Sequence, residues 1–270
     1  MATVANITFN LINGHVGAPT PSVAEISDRY PTLLTPASFG FAIWGVIYGA
    51  TLLYAMFALL PSEAPVRMHD RVAPWLTVLN ALASLWVALF TVEQLGPSVL
   101  ISAAMLAAAF MIYMIVSDHV VSEHLSRWWR APFGLWVGWL SVALLVNLNV
   151  ALVAAGWSSW PSAALWASAA LVLAAVGAHS VGALFLDPIL AFVVAWAAIA
   201  IGGQHLHESA LLATVSIAVA LKCIWLGTRL LAFSTLPIPR ALREGAERQL
   251  RFSPSRATGV HAHAGRSASS

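Results

Sequence analysis

Residues 36–60 read PASFGFAIWGVIYGATLLYAMFALL, without one charged side chain. A helix rises 1.5 Å per residue, so about 20 apolar residues cross the roughly 30 Å of hydrocarbon in a bilayer. This run is long enough, and Pro61 follows it directly. Pro36 fits a helix start, because a first-turn N–H has no intrahelical partner to lose. The segment therefore reads as a membrane span.

Six further runs follow, each bounded by proline, glycine or a charge: 72–92, 97–116, 132–155, 161–186, 187–203 and 209–233. The sixth is short. Composition agrees with the count. The chain of 270 residues is 60% hydrophobic and 9% charged, with a mean hydropathy of +0.81. A soluble domain carries about 25% charge because its surface meets water. The expected fold class is an all-α integral membrane protein, a bundle of about seven transmembrane helices.

The loops set an orientation. Arg67 and Arg71 follow the first span, Arg127 and Arg130 the third, and six arginines lie beyond residue 236. The alternate loops after the second, fourth and sixth spans hold no Lys or Arg. The positive-inside rule then puts the N-terminus outside and the C-terminus in the cytoplasm. The basic residues are twelve Arg and one Lys, which favours a GC-rich bacterial source and hence the bacterial cytoplasmic membrane. A net charge of +2 gives no footprint for nucleic acid. The single cysteine, Cys223, permits no internal disulfide. The expected organisation is an external lid or loop over 1–35, a core of four spans over 36–156, three more spans over 157–235, and a basic, largely disordered cytoplasmic tail over 236–270.

Two spans carry aromatic stripes. At 100° per residue, Phe41, Trp44 and Tyr48 share a face, with Gly45 and Gly49 beside it. Trp136, Trp139, Ala143 and Asn147 line a second stripe, with Gly134 and Gly138 roughly opposite. Small residues four apart let helices approach closely, within one chain or across a homodimer. Indoles stack on π-systems and an amide orients a polar edge, so the stripes suit a flat aromatic ligand. Taken singly, each residue reads more simply as helix packing. Trp128, Trp129, Trp157 and Trp160 flank helix ends and read as interfacial anchors.

The polar groups within spans have two readings each. Asn80, Asn147 and Asn149 read first as interhelical hydrogen-bond partners. His179 and Lys222 could mark a permeation path, since ionisable groups within a bilayer are often functional. His205 and His207, in the loop after the sixth span, form a weak metal signal, as do His261 and His263 in the tail. No phosphate loop, catalytic triad, zinc-protease motif or paired intramembrane carboxylates occurs. Nothing here points to an enzyme.

Pro36, Phe39, Phe41, Trp44 and Tyr48, then Leu79-Asn80, then Pro132, Trp136, Trp139, Ala143, Asn147 and Asn149 together resemble the tryptophan-rich sensory protein (TspO) / translocator protein family. The resemblance spans about residues 30–156, looks closest to a longer bacterial branch, and leaves the counterpart of that family's first helix unassigned. It implies a receptor or sensor holding a flat hydrophobic ligand, a porphyrin or haem-like tetrapyrrole, within the helical bundle, with no cofactor required. The expected ligand-binding residues are Phe41, Trp44, Tyr48, Asn80, Trp136, Trp139, Ala143 and Asn147. It also implies a lid over 14–35 and permits dimers. Expected partners are the lipid bilayer and a hydrophobic small molecule. The alternative is a small-molecule permease built on the last three spans.

Overall fold

The computed structural model describes residues 1–13, 21–59, 66–157 and 162–235. Among them lie nine α-helices: α1 (Ala2–Asn13), α2 (Val23–Arg29), α3 (Ile43–Phe57), α4 (Val66–Thr91), α5 (Leu95–Ser122), α6 (Ala131–Ala154), α7 (Ala163–Phe185), α8 (Ile189–Gln204) and α9 (Ala210–Thr235). Short 3-10 turns lead into α3 and α6. Six helical stretches are long and apolar enough to cross a membrane, and α8 is a shorter apolar helix. Its sixteen residues make about 24 Å of helix. Residues 236–270, including His261 and His263, lie outside the described residues, as do Gly14, Gly17, Pro19, Pro61 and Trp160.

Lipid satisfies no peptide group, so each span must close its own hydrogen bonds, and helices alone do this locally. Lipid also gives little reason for one apolar helix to leave the oil for another. Close packing of small side chains supplies the attraction instead. α6 and α8 illustrate it. An added Cβ on Gly138 would lie 2.9 Å from Val193 Cβ, and one on Gly134 would lie 3.3 Å from an Asp187 carboxyl oxygen. Ten of the sixteen residues of α8 are buried, eight of them Ala, Gly or Val, and Trp196, Ile199 and Gly203 form the one exposed stripe. α8 packs against α6, α7 and the 3-10 turn before α3, and leaves Trp196 and Ile199 outward.

The segment read as loop over 1–35 holds two helices. α1 packs on α3 and α4. Asn6 Nδ2 donates to Asn80 Oδ1 at 3.1 Å, and Ser84 Oγ donates to Asn6 Oδ1 at 2.9 Å. α2 starts at a capping box. Ser22 Oγ accepts from the Glu25 N–H, and a Glu25 carboxyl oxygen accepts from the Ser22 N–H at 2.6 Å. That return bond from the Ser22 N–H holds the Glu25 carboxyl below its usual range.

α8 is also tied to the chain before α3. Ala37 N–H donates to Ala200 O at 3.0 Å, and Trp196 Nε1 donates to Gly40 O at 3.0 Å. Phe39 meets the Trp196 ring edge-on, centroids 5.5 Å apart. These bonds connect the additional spans of 157–235 with the chain leading into α3.

At the opposite end of the bundle, α7 turns into α8 through Leu186, whose φ of 51° is left-handed. Asp187 is 3% exposed. Its Oδ2 accepts from Tyr113 Oη at 2.9 Å and its Oδ1 from the Ile189 N–H at 2.9 Å. Arg130 Nη1 donates to Phe185 O at 3.0 Å beside it. This carboxyl joins α5 to the start of α8.

Candidate functional site

The two aromatic stripes face each other across α3 and α6. Trp44 is the centre. Tyr48 stacks on it at 5.5 Å between centroids, Trp136 and Trp139 meet it edge-on at 5.6 and 6.2 Å, and Trp86 of α4 tilts against it at 6.3 Å. Phe41 meets Trp139 edge-on at 6.4 Å, and Phe90 stacks on Trp86 at 5.1 Å. Edge-to-face and offset contacts of this kind match the ring quadrupoles.

A narrow apolar cavity opens among these rings. Of the expected residues, Phe41, Trp44, Trp139, Ala143 and Asn147 line it. Tyr48 and Trp136 stand behind Trp44, where Trp136 Nε1 donates to Thr51 Oγ1 at 2.9 Å. Asn80 is elsewhere. Its Oδ1 accepts from Asn6, and its Nδ2 donates to Leu76 O at 2.7 Å and to Thr3 Oγ1 at 3.4 Å. It docks α1, the interhelical role that the sequence also allowed.

The remaining walls come from parts of the chain not assigned to a site. Trp86 and Phe90 belong to α4, Ala197 and Ile201 to α8, and Val23 and Ser27 to α2. Trp86 was visible in the sequence as an indole within a span. Ser22 and Glu25, three apart, were a visible capping signal for a lid helix. Nothing local marked Ala197 or Ile201, which look like any other lipid-compatible residue.

The cavity is small, about 30 Å³. Sites for small molecules run to roughly 300–1,000 Å³, so a ligand enters only if a wall moves. α2 is the short wall. Above it lies a polar vestibule of about 240 Å³ lined by Asp28, Thr35, Asn149, Gln204, His205 and Glu208 among others. Ser27 lines both spaces. His205 is committed to the fold, with Nε2 3.0 Å from Thr35 O and Nδ1 2.9 Å from a Glu208 carboxyl oxygen. No group of three metal-ligating side chains occurs among the described residues.

α2 is tied to the turn between α4 and α5. Arg29 pairs with Glu93, and Tyr30 Oη donates to the other Glu93 oxygen at 2.6 Å. Glu93 adopts a left-handed φ of 60°, uncommon for a residue with a side chain. The Tyr30 hydroxyl, and then Arg29, hold the Glu93 carboxyl below its usual range, and Glu93 in turn raises the Tyr30 hydroxyl. A carboxyl depressed in this way stabilises the attachment of α2 above the ordinary carboxylate pKa of about 4.3. That contribution is lost as pH falls through the lower value. Glu93→Ala is expected to raise amide hydrogen exchange in α2 several-fold at neutral pH and to abolish its acid-induced rise. Unchanged exchange in the variant would show that this tie does not hold α2.

His179 and Lys222, the residues behind the permease reading, both face outward on α7 and α9. Neither reaches the cavity. Gly45 and Gly49 have no atom within 4 Å of an added Cβ, so no described helix packs on them.

A family model described as TSPO-like protein matches residues 1–228, reaching beyond the 30–156 of the sequence resemblance to take in α1 and most of α9. No curated protein and no solved structure matches the chain.

Proposed function

From the premise that the chain belongs to the TSPO-like protein family, we infer that it is a membrane receptor or sensor that holds a flat hydrophobic ligand among Phe41, Trp44, Trp86, Trp139 and Asn147. A tetrapyrrole of the porphyrin class is the ligand we propose. The observation that carries the reading is the convergence of three indoles from α3, α4 and α6 on one apolar cavity beneath the tied helix α2. Planar π-systems gain stacking and edge contacts there that an aliphatic ligand would not. The site pairs no nucleophile with a general base and no two carboxylates with each other, which favours binding over catalysis.

The protein is a multi-pass integral membrane protein. We place the lid on the outer face of a bacterial cytoplasmic membrane, because Arg67 and Arg71 at the start of α4 and Arg127 and Arg130 just before α6 lie at the other end.

The test is quenching of tryptophan fluorescence by a free-base porphyrin, with the protein in lipid nanodiscs. Saturable quenching is expected, and it should be largely lost in a Trp136→Ala, Trp139→Ala double variant. Absent quenching, or equal quenching in the double variant, would overturn the reading.

A further inference from the structure

Among the described residues, eight buried side-chain nitrogen or oxygen atoms have no hydrogen-bond partner. Three of them belong to residues lining the aromatic cavity: Trp86 Nε1, Trp139 Nε1 and Asn147 Nδ2. All three residues are at least nine-tenths buried. The other five are scattered over five residues that do not line it.

The fold satisfies a fully buried indole elsewhere: Trp136 Nε1 donates to Thr51 Oγ1. Leaving a buried donor unmade costs about 1–3 kcal/mol, so two unpaired indoles and an amide on one cavity call for a partner that comes from outside. An indole N–H can only donate. The Asn147 amide has one end on Ser98 Oγ, 3.0 Å away. Ser98 Oγ also lies 2.8 Å from Leu95 O, and a hydroxyl has one proton. If that proton goes to Leu95 O, the amide turns to donate to Ser98. Asn147 can therefore offer a ligand either its N–H or its C=O.

The charge around the site sorts the rest of the ligand. The residues lining the slot carry no ionisable group, and the vestibule above it holds Asp28 and Glu208. An anionic group entering here would be unpaired below and repelled above.

Resting on the proposed aromatic site, we propose that the slot selects a planar ring system bearing an uncharged hydrogen-bond acceptor, a carbonyl oxygen or a ring nitrogen, on the edge that enters first. Trp86 and Trp139 donate to it, and the Asn147 amide orients it. Charged substituents are left at the rim.

Acridine and anthracene separate the two readings. They share a three-ring outline and differ in one ring nitrogen, and acridine is uncharged at mildly alkaline pH. Equilibrium dialysis against the full chain in lipid nanodiscs, with empty discs subtracted, gives both affinities. Acridine is expected to bind about tenfold more tightly, the worth of satisfying one buried donor. That preference should shrink toward unity in Trp139→Phe or Trp86→Phe, each of which keeps a ring and loses the N–H. Two separate variants guard against one that fails to fold. Equal affinities in the parent would overturn the donor inference and leave the aromatic site standing. A preference unchanged in both variants would overturn it as well. Binding of neither probe would sink the site and the inference together.

Discussion

Gly138→Leu is expected to remove ligand binding and to destabilise the bundle. An added Cβ at 138 already meets Val193 Cβ at 2.9 Å and the Leu190 Cα at 3.4 Å. A Cβ is fixed by its own backbone, so no rotamer change of Val193 relieves the contact, and the rest of a leucine would need more room still. α8 must move away from α6. Over-packing of this kind costs about 1–3 kcal/mol and more where the backbone cannot yield. In a bilayer the loss is not recovered by hydrophobic burial, since α8 gains little from where it goes. The displaced helix takes Ala197 and Ile201 out of the cavity wall. It also strains the Trp196 and Ala200 bonds that fix the approach to α3. Thermal unfolding in nanodiscs and porphyrin titration report both effects. Gly138→Ala should fall between parent and leucine. A leucine variant that melts and binds like the parent would mean that α6 and α8 are not in close contact.

Asp187→Ala is expected to cost about 2–6 kcal/mol, because it strands the buried Tyr113 hydroxyl and the part-buried Ile189 N–H at about 1–3 kcal/mol each. Tyr113 Oη and the Ile189 N–H both lose their acceptor. The Tyr113 ring stays in place against Phe185, edge-on at 5.4 Å, so the hydroxyl cannot easily swing to water. Asp187→Asn is the control. Its amide oxygen can still accept from Ile189, and its amide N–H can donate to the Tyr113 oxygen. It should recover most of the stability. Thermal unfolding of the two variants decides the matter, and equal melting of alanine and asparagine would remove the hydrogen-bonding account of this turn.

The two predictions bear on one architectural point. α8, one of the three helices that follow the four-span core, is gripped at both ends. Asp187 anchors its start through α5, and Ala200 and His205 anchor its far end to the chain just before α3. A cavity that seemed to belong to α3 and α6 therefore depends on a helix some fifty residues further along.

Local sequence determined the apolar spans of this protein and the stripes they carry, but not α1 and α2. A span must be apolar along its own length and must close its own hydrogen bonds, so runs such as 36–60 announce themselves. Phe41, Trp44 and Tyr48, or Trp139, Ala143 and Asn147, fall on one face because 3.6 residues make a turn. Which face meets which helix was a tertiary decision. Gly45/Gly49 and Gly134/Gly138 carry the same spacing, yet the first pair meets nothing described and the second seats α8. Asn80 and Asn147 are both buried amides, yet one docks α1 and the other lines the cavity. The reason is that lipid and a neighbouring helix are alike apolar. Hydropathy distinguishes neither from the other, and only the fit of one surface on another, across long stretches of chain, picks the partner.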